Sequence, residues 1–247
     1  GPQKVGVAVA DLFTGMYATV AILAALRHAE RTGEGQHVDM ALLDTQVAML
    51  ANLGSNYLVS GKVPGRAGNA HQNIVPYQVF EVMAPPGAAP GSRDHLILAV
   101  GNDGQFAKFC AVAGCPELAQ DPRYALNADR VRHRATLVPL LEGILKTRTK
   151  ADWLTALEAA KVPCGAINTL SEVFVDPQVE ARGMVQSWQH PVKPDLKLVA
   201  SPIKMSRTPV RRDLPPPMLG QHTAAVLTEV LGWSAEQLGP LRGKGVI

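Results

Sequence analysis

The chain has 247 residues, of which 47% are hydrophobic and 18% charged, and its net charge is +3. That length buries a substantial core in one large or two modest domains, and the composition excludes a disordered chain. The basic residues are scattered apart from Arg130-Val131-Arg132-His133-Arg134 and Arg211-Arg212, runs too short for a nucleic-acid surface, so acidic small molecules suit this charge better than polymers.

In chain order, Val5–Ala10 reads as a short buried strand or extended segment, and Asp11 then caps a helix from Leu12 to Arg31. That helix is apolar on nearly every side, with Ala18, Ala21, Ala24 and Ala25 allowing close neighbours. Gly33 and Gly35 end it, because glycine accepts the left-handed conformation at a helix C-terminus. Residues His37–Leu43 are strand-compatible, and Asp44 caps a second apolar helix from Thr45 to Val59. Two helices apolar all round cannot cover one another. The pattern therefore expects a covering surface from another subunit or from an N-terminal half outside this chain.

Glycine, proline and asparagine between Ser60 and Asn73 mark a flexible connection. Strands are expected at Tyr77–Met83 and His95–Val100 around a Pro/Gly-rich loop. Helices follow at Asp103–Ala113, Arg134–Lys146 and Lys150–Ala160, the last with Trp153, Leu154 and Leu157 at core spacing. The basic run at Arg130–Arg134 reads as a solvated helix face. Cys164–Asn168 and Met184–His190 are short strand candidates. Seven prolines between Pro191 and Pro217 mark an irregular tether, and Gly220–Leu231 and Ala235–Leu241 close the chain as helices. The longest uncharged apolar run, Leu12 to Leu26, falls short of the about 18 residues a bilayer span needs, so no membrane partner is expected. Three cysteines, Cys110, Cys115 and Cys164, are odd in number and fit reduced thiols in a cytoplasmic or mitochondrial-matrix compartment.

Several catalytic devices are absent: no GxxxxGK[ST] phosphate loop, no GxGxxG, no GxSxG elbow and no HExxH helix occurs. The seven histidines never fall at metal-ligand spacing, so no metal is expected. Asp11 carries two compatible readings. It is a favoured helix cap, and a cap position also stabilises the ionised carboxylate that a nucleophile needs. Gly68–Tyr77 mixes glycine with amides, an imidazole and a phenol, and reads equally as a turn into the strand or as a loop over a pocket. Leu219–Thr223, after three prolines, reads as a rigid approach to a helix or as a binding segment.

Asp11-Leu12-Phe13-Thr14-Gly15-Met16-Tyr17, Gly35–Asp44, and Gly68–Tyr77 followed by Val79-Phe80 resemble the class III CoA-transferases, the family of formyl-CoA:oxalate and crotonobetainyl-CoA:carnitine CoA-transferases. Further blocks run through Val100–Phe106, Asn127–Arg134, Gly165–Val185, Pro215–Thr223 and the closing Gly245-Val246-Ile247. Among members, the chain is most similar to those using succinyl-CoA and dicarboxylic acids, such as succinate–hydroxymethylglutarate CoA-transferase.

The resemblance implies an α/β fold with a Rossmann-like large domain, here lacking its N-terminal half, plus a smaller α+β domain. Residues 1–60 would belong to the large CoA-binding domain with the nucleophile segment, 61–76 to a linker and active-site loop, 77–190 to the small domain, and 191–247 to a proline-rich return with terminal helices. It implies that Asp11 attacks an acyl-CoA thioester, giving a mixed anhydride and then an aspartyl-CoA thioester. Gly68, Asn69, His71, Gln72, Asn73 and Tyr77 would form the substrate loop, with His71 and Gln72 where the oxalate enzyme has glycines. Coenzyme A thioester is then a substrate, with no permanently bound cofactor. Most residues gripping CoA would lie in the N-terminal half, which could be a separate fragment, and the assembly would be an interlocked homodimer. Two other readings stand beside transfer: acid–base chemistry like that of α-methylacyl-CoA racemase, and a non-catalytic C-terminal fragment unable to bind CoA alone.

Overall fold

The computed structural model describes residues 3–211 and 213–247, and its first element is helix α1 (Val9–Thr32). Gly1, Pro2 and Arg212 of the Arg211-Arg212 pair lie outside the described residues. The helix starts earlier than the sequence pattern suggests. Val5 and Val7 are exposed and form no strand, because an extended segment without a pairing neighbour gains nothing from its N–H and C=O groups. The helix-favouring alanines on either side of Val9 instead draw the helix back past Asp11. At the other end Gly33 closes it at φ 80°, as expected.

The second helical stretch is interrupted. Helix α2 (Leu42–Ala48) and helix α3 (Ala51–Ser60) are separated at Met49–Leu50. Ala51 adopts φ 44° there, and Leu50 O starts a new ladder by accepting from both Leu53 and Gly54. Asp44 lies inside the first turn of α2 with no side-chain cap bond. The preceding residues 37–41 join no sheet, although Ala41 is extended.

No residue of α1 or α3 is buried, and α2 buries only Thr45. Leu12, Met16, Val20 and Leu23 on α1 are each more than half exposed. By length and composition α1 is apolar enough to cross a membrane. The expectation of a shorter apolar segment rested on the uncharged run alone, whereas the helix extends beyond it at both ends.

The core sits further along. Strands β1 (Tyr77–Val82), β2 (Asp94–Ala99) and β3 (Cys164–Ala166) form one antiparallel sheet in that order. Tyr77 pairs with Ala99, Val82 with Asp94, and Leu98 with Cys164. Period-two alternation sends Phe80, Val82, Leu96 and Leu98 inward. Gly165 lies so close to Ile97 that a Cβ there would stand 3.3 Å from its Cγ2.

Helix α4 (Asp103–Ala113) contributes Phe106 and Phe109 to this core. Its N-terminus is closed reciprocally: Asn102 Oδ1 accepts from Gln105 N at 2.9 Å, and Gln105 Oε1 accepts from Gly101 N at 2.7 Å. After a short 3-10 turn (Pro116–Ala119) come α5 (Asn127–Arg132), α6 (Arg134–Leu145) and α7 (Lys150–Ala159). Leu137, Leu141 and Leu145 recur on one face of α6, and Trp153 and Leu157 on one face of α7, all fully buried. Trp153 Nε1 donates to Leu145 O at 2.8 Å, so even its polar edge is satisfied. Each such large side chain stabilises the fold by roughly 1.5–3 kcal/mol on burial.

The chain divides into two compact units, Gly1–Ala166 and Ile167–Ile247. The second holds the short helices α8 (Leu170–Val173) and α9 (Pro177–Ala181), then β4 (Val185–Trp188) and β5 (Leu196–Val199), then α10 (Thr223–Glu229) and α11 (Ala235–Gly243). The proline-rich segment is therefore not wholly irregular. Leu196–Val199 falls between Pro194 and Pro202, where every N–H is available, and it pairs antiparallel with β4.

Candidate active site

Asp11 is the third residue of α1, not its cap. Ala8 occupies the cap position with no side-chain bond. Asp11 is exposed, and its carboxylate stands in the first turn, where free backbone N–H groups and the helix dipole favour negative charge. Thr14, one turn on, is occupied within the helix, its hydroxyl donating to Ala10 O at 2.7 Å.

The loop residues come together in front of β1. Asn69 Oδ1 accepts from Val79 N at 3.1 Å, and His71 N donates to Tyr77 O at 2.8 Å. The His71 and Tyr77 rings stack at 5.3 Å between centroids. Asn73 N donates to His71 Nδ1 at 3.1 Å, and Asn56 of α3 donates to Asn73 Oδ1 at 3.3 Å. Gly68 adopts φ 61°, a conformation side chains resist, and so turns the chain into this arrangement. Among the described residues, no hydrogen bond or ion pair joins Asp11 to any of them.

The expected flexible connection is thus held at its C-terminal part, and the holding groups come from the expected solvated face. Arg134 Nη2 donates to His71 O at 2.7 Å and Gln72 O at 2.8 Å. Asn127 Nδ2 donates to Asn73 O at 2.9 Å while its Oδ1 accepts from Val75 N at 3.1 Å. Arg130 is completely buried. Its guanidinium donates to Val75 O at 2.6 Å, Tyr124 O at 2.9 Å, Ala125 O at 3.1 Å and the Asp103 carboxylate at 2.8 Å, and it lies 4.4 Å from the Phe106 ring centroid. Only Arg132 of the three arginines is solvated as expected, pairing with Asp129 at the surface. The run misleads because α5 ends at Arg132 and α6 starts at Arg134. Its charges therefore do not share one helical face.

Two cavities flank the loop. One of about 560 Å3 is bordered by Arg66, Asn69, Gln78, Arg134 and Glu142. The other, of about 290 Å3, lies between α3 and the loop and is bordered by Asn52, Leu53, Pro64, His71 and Gln72. Gln72 Oε1 is buried without a hydrogen-bond partner among the described residues. No three His, Cys, Asp or Glu side chains come together as a metal-ligand group among the described residues. The thiols are free. Burial, with a smaller contribution from Cys115, pushes Cys110 up to about 12, and burial also raises Cys115 and Cys164. These are structural thiols, not nucleophiles.

The chain is 49% identical over 229 residues to the succinate–glutarate CoA-transferase of Agrobacterium fabrum, covering 93% of this chain and 55% of that protein. It is 36% identical over 246 residues to the human succinyl-CoA:glutarate CoA-transferase, covering 100% of this chain and 54% of that one. It thus spans about half the length of the curated relatives it matches. The solved structure of a CAIB/BAIF family protein from Brucella suis is 45% identical, with a TM-score of 0.71, over 93% of this chain and 57% of that chain. A Mycobacterium tuberculosis structure at 23% identity and TM-score 0.74, over 91% and 57% of the two chains, shares the fold. These neighbours bear out the α/β architecture expected from the resemblance. The model of CoA-transferase family III matches residues 1–223, a span that takes in α1 with Asp11, the loop and the arginines that hold it, and so the chain belongs to that family.

Proposed function

We propose that the chain carries the nucleophile of an enzyme that moves CoA from succinyl-CoA to a second dicarboxylic acid. The observation behind this reading is the 49% identity to the Agrobacterium succinate–glutarate CoA-transferase across nearly the whole chain. Asp11 is the nucleophile. Its carboxylate oxygen attacks the thioester carbonyl, the C–S bond breaks, and CoA leaves as thiolate. The thiolate then attacks the aspartyl carbonyl of the mixed anhydride, releasing succinate and leaving an aspartyl-CoA thioester. The acceptor carboxylate attacks that thioester carbonyl, its C–S bond breaks and a second anhydride forms. The expelled thiolate attacks the acceptor's carbonyl, the anhydride C–O bond breaks, and the new acyl-CoA leaves with Asp11 restored as carboxylate. Covalent catalysis divides one difficult exchange into easier acyl transfers. Gly68, Asn69, His71, Gln72, Asn73 and Tyr77 form the loop that shields these water-sensitive species. The CoA grip and the cover for α1 to α3 come from an N-terminal half and from an interlocked second copy.

The test incubates the chain, alone and fused to the N-terminal segment of the Agrobacterium relative, with succinyl-CoA and a panel of dicarboxylic acids. Exchange of CoA onto the acid is expected, with a CoA adduct on the peptide containing Asp11 in the intact mass. Asp11→Asn should lower exchange by at least about 10^4-fold. Because Asp11 makes no cap bond, the change should cost only about 0.5 kcal/mol of stability. Wild-type exchange in Asp11→Asn would remove the nucleophile assignment. Deuterium uptake at the α-carbon without exchange would favour racemase-like chemistry instead.

A further inference from the structure

Four carbonyls in the five-residue stretch from His71 to Val75 are taken by side chains that lie more than fifty residues further along the chain. Arg134 holds those of His71 and Gln72, Asn127 that of Asn73, and Arg130 that of Val75. Water would satisfy surface carbonyls equally well in number, so satisfaction alone does not call for these donors. What they add is position, because each fixes the loop backbone against α5 and α6, which are themselves anchored in the core by Arg130 and Leu137.

The three donors are not equivalent. Arg130 is fully buried and also carries the Tyr124 and Ala125 carbonyls, so it belongs to the core. Arg134 is half-buried at the first position of α6. Both of its hydrogen bonds fall on the loop backbone. Both bonds are charge-assisted, the stronger class. They fall on the adjacent carbonyls of His71 and Gln72.

We propose that Arg134 is a positioning residue for the substrate loop: its guanidinium fixes the His71–Gln72 backbone, and thereby favours transfer of the acyl group to an acid over its loss to water. The anchoring stands on geometry alone, and the consequence for transfer rests on the CoA-transferase reading above. The competing loss is hydrolysis. Water attacks the acyl or aspartyl carbonyl, the C–S or anhydride C–O bond breaks, and the products are free acid and CoA thiol.

Two measurements on wild type, Arg134→Met and Arg134→Lys separate these links. In hydrogen exchange resolved by mass, the amides of residues 71–75 should exchange on the order of tenfold faster in Arg134→Met. Those of Phe80–Val82 and Leu96–Leu98 should be unchanged, and Arg134→Lys should fall between. In the fused enzyme with succinyl-CoA and glutarate, the ratio of CoA released to glutaryl-CoA formed should rise several-fold in Arg134→Met and recover in part in Arg134→Lys. Unchanged exchange at 71–75 in a folded Arg134→Met overturns the anchoring. If that variant does not fold, wild-type exchange rates and product ratio in Arg134→Lys do the same. Faster exchange with an unchanged product ratio overturns the role in transfer. A wild-type enzyme that moves no CoA defeats the functional reading, while the exchange rates still decide the anchoring.

Discussion

Arg130 shows how much structure one buried cation can organise. It has no exposed surface, and its partners are three backbone carbonyls, one carboxylate and an aromatic face. Replacing it with Met leaves the Val75, Tyr124 and Ala125 carbonyls without their donor inside the protein, where each unsatisfied group is costly. Arg130→Met should therefore lose about 3–5 kcal/mol in urea unfolding, whereas Arg132→Met, at the surface, should change little. Cys110 sets a pH limit by a different route. Burial raises its pKa from 9.0 to about 12, so the folded state keeps a proton that the unfolded chain releases. Its contribution is complete below about pH 9 and is lost as pH rises towards 12. Unfolding free energy should decline across that window, and less steeply in Cys110→Ala, when followed by denaturant titration at stepped pH.

At the scale of elements, the loop and α1 are opposites. The loop is rich in residues that sequence reasoning assigns to mobile turns, yet it is tied along its length to β1, α5 and α6. Helix α1 is a complete 24-residue helix, and none of its residues is buried. An apolar helix exposed along Leu12, Met16, Val20 and Leu23 requires cover. On the interlocked-dimer proposal, Val20→Glu with Leu23→Glu should shift the fused enzyme from dimer to monomer in sedimentation velocity. The near-ultraviolet dichroism of the Trp153 core should stay as it was. A dimer that survives both charges would place the interface elsewhere.

For the molecule as a whole, the well-packed part is the sheet β1–β3 with α4, α6 and α7, and it was readable. Phe80, Val82, Leu96 and Leu98 alternate, Leu137, Leu141 and Leu145 repeat every four residues, and glycine or proline punctuates both. The proposed catalytic part was legible differently. Asp11 and the Gly68–Tyr77 block were found as residues, and a likeness to a family gave them roles. Composition and spacing alone left Asp11 both a helix cap and a candidate nucleophile, and the block either a turn or a loop over a pocket. The position of Asp11 inside α1 was not readable, because alanine propensity on both sides outweighed a single capping carboxylate.

The sequence by itself determined which apolar residues of β1, β2, α6 and α7 enter the core, where most helices and strands lie, and which family the chain resembles, because periodicity and local propensity are written residue by residue. Only the tertiary structure decided that Arg130, Arg134 and Asn127 face inward to hold the loop. Their partners are backbone carbonyls more than fifty residues away, and a carbonyl leaves no mark in the sequence. A basic run looks the same whether water or a loop receives its hydrogen bonds.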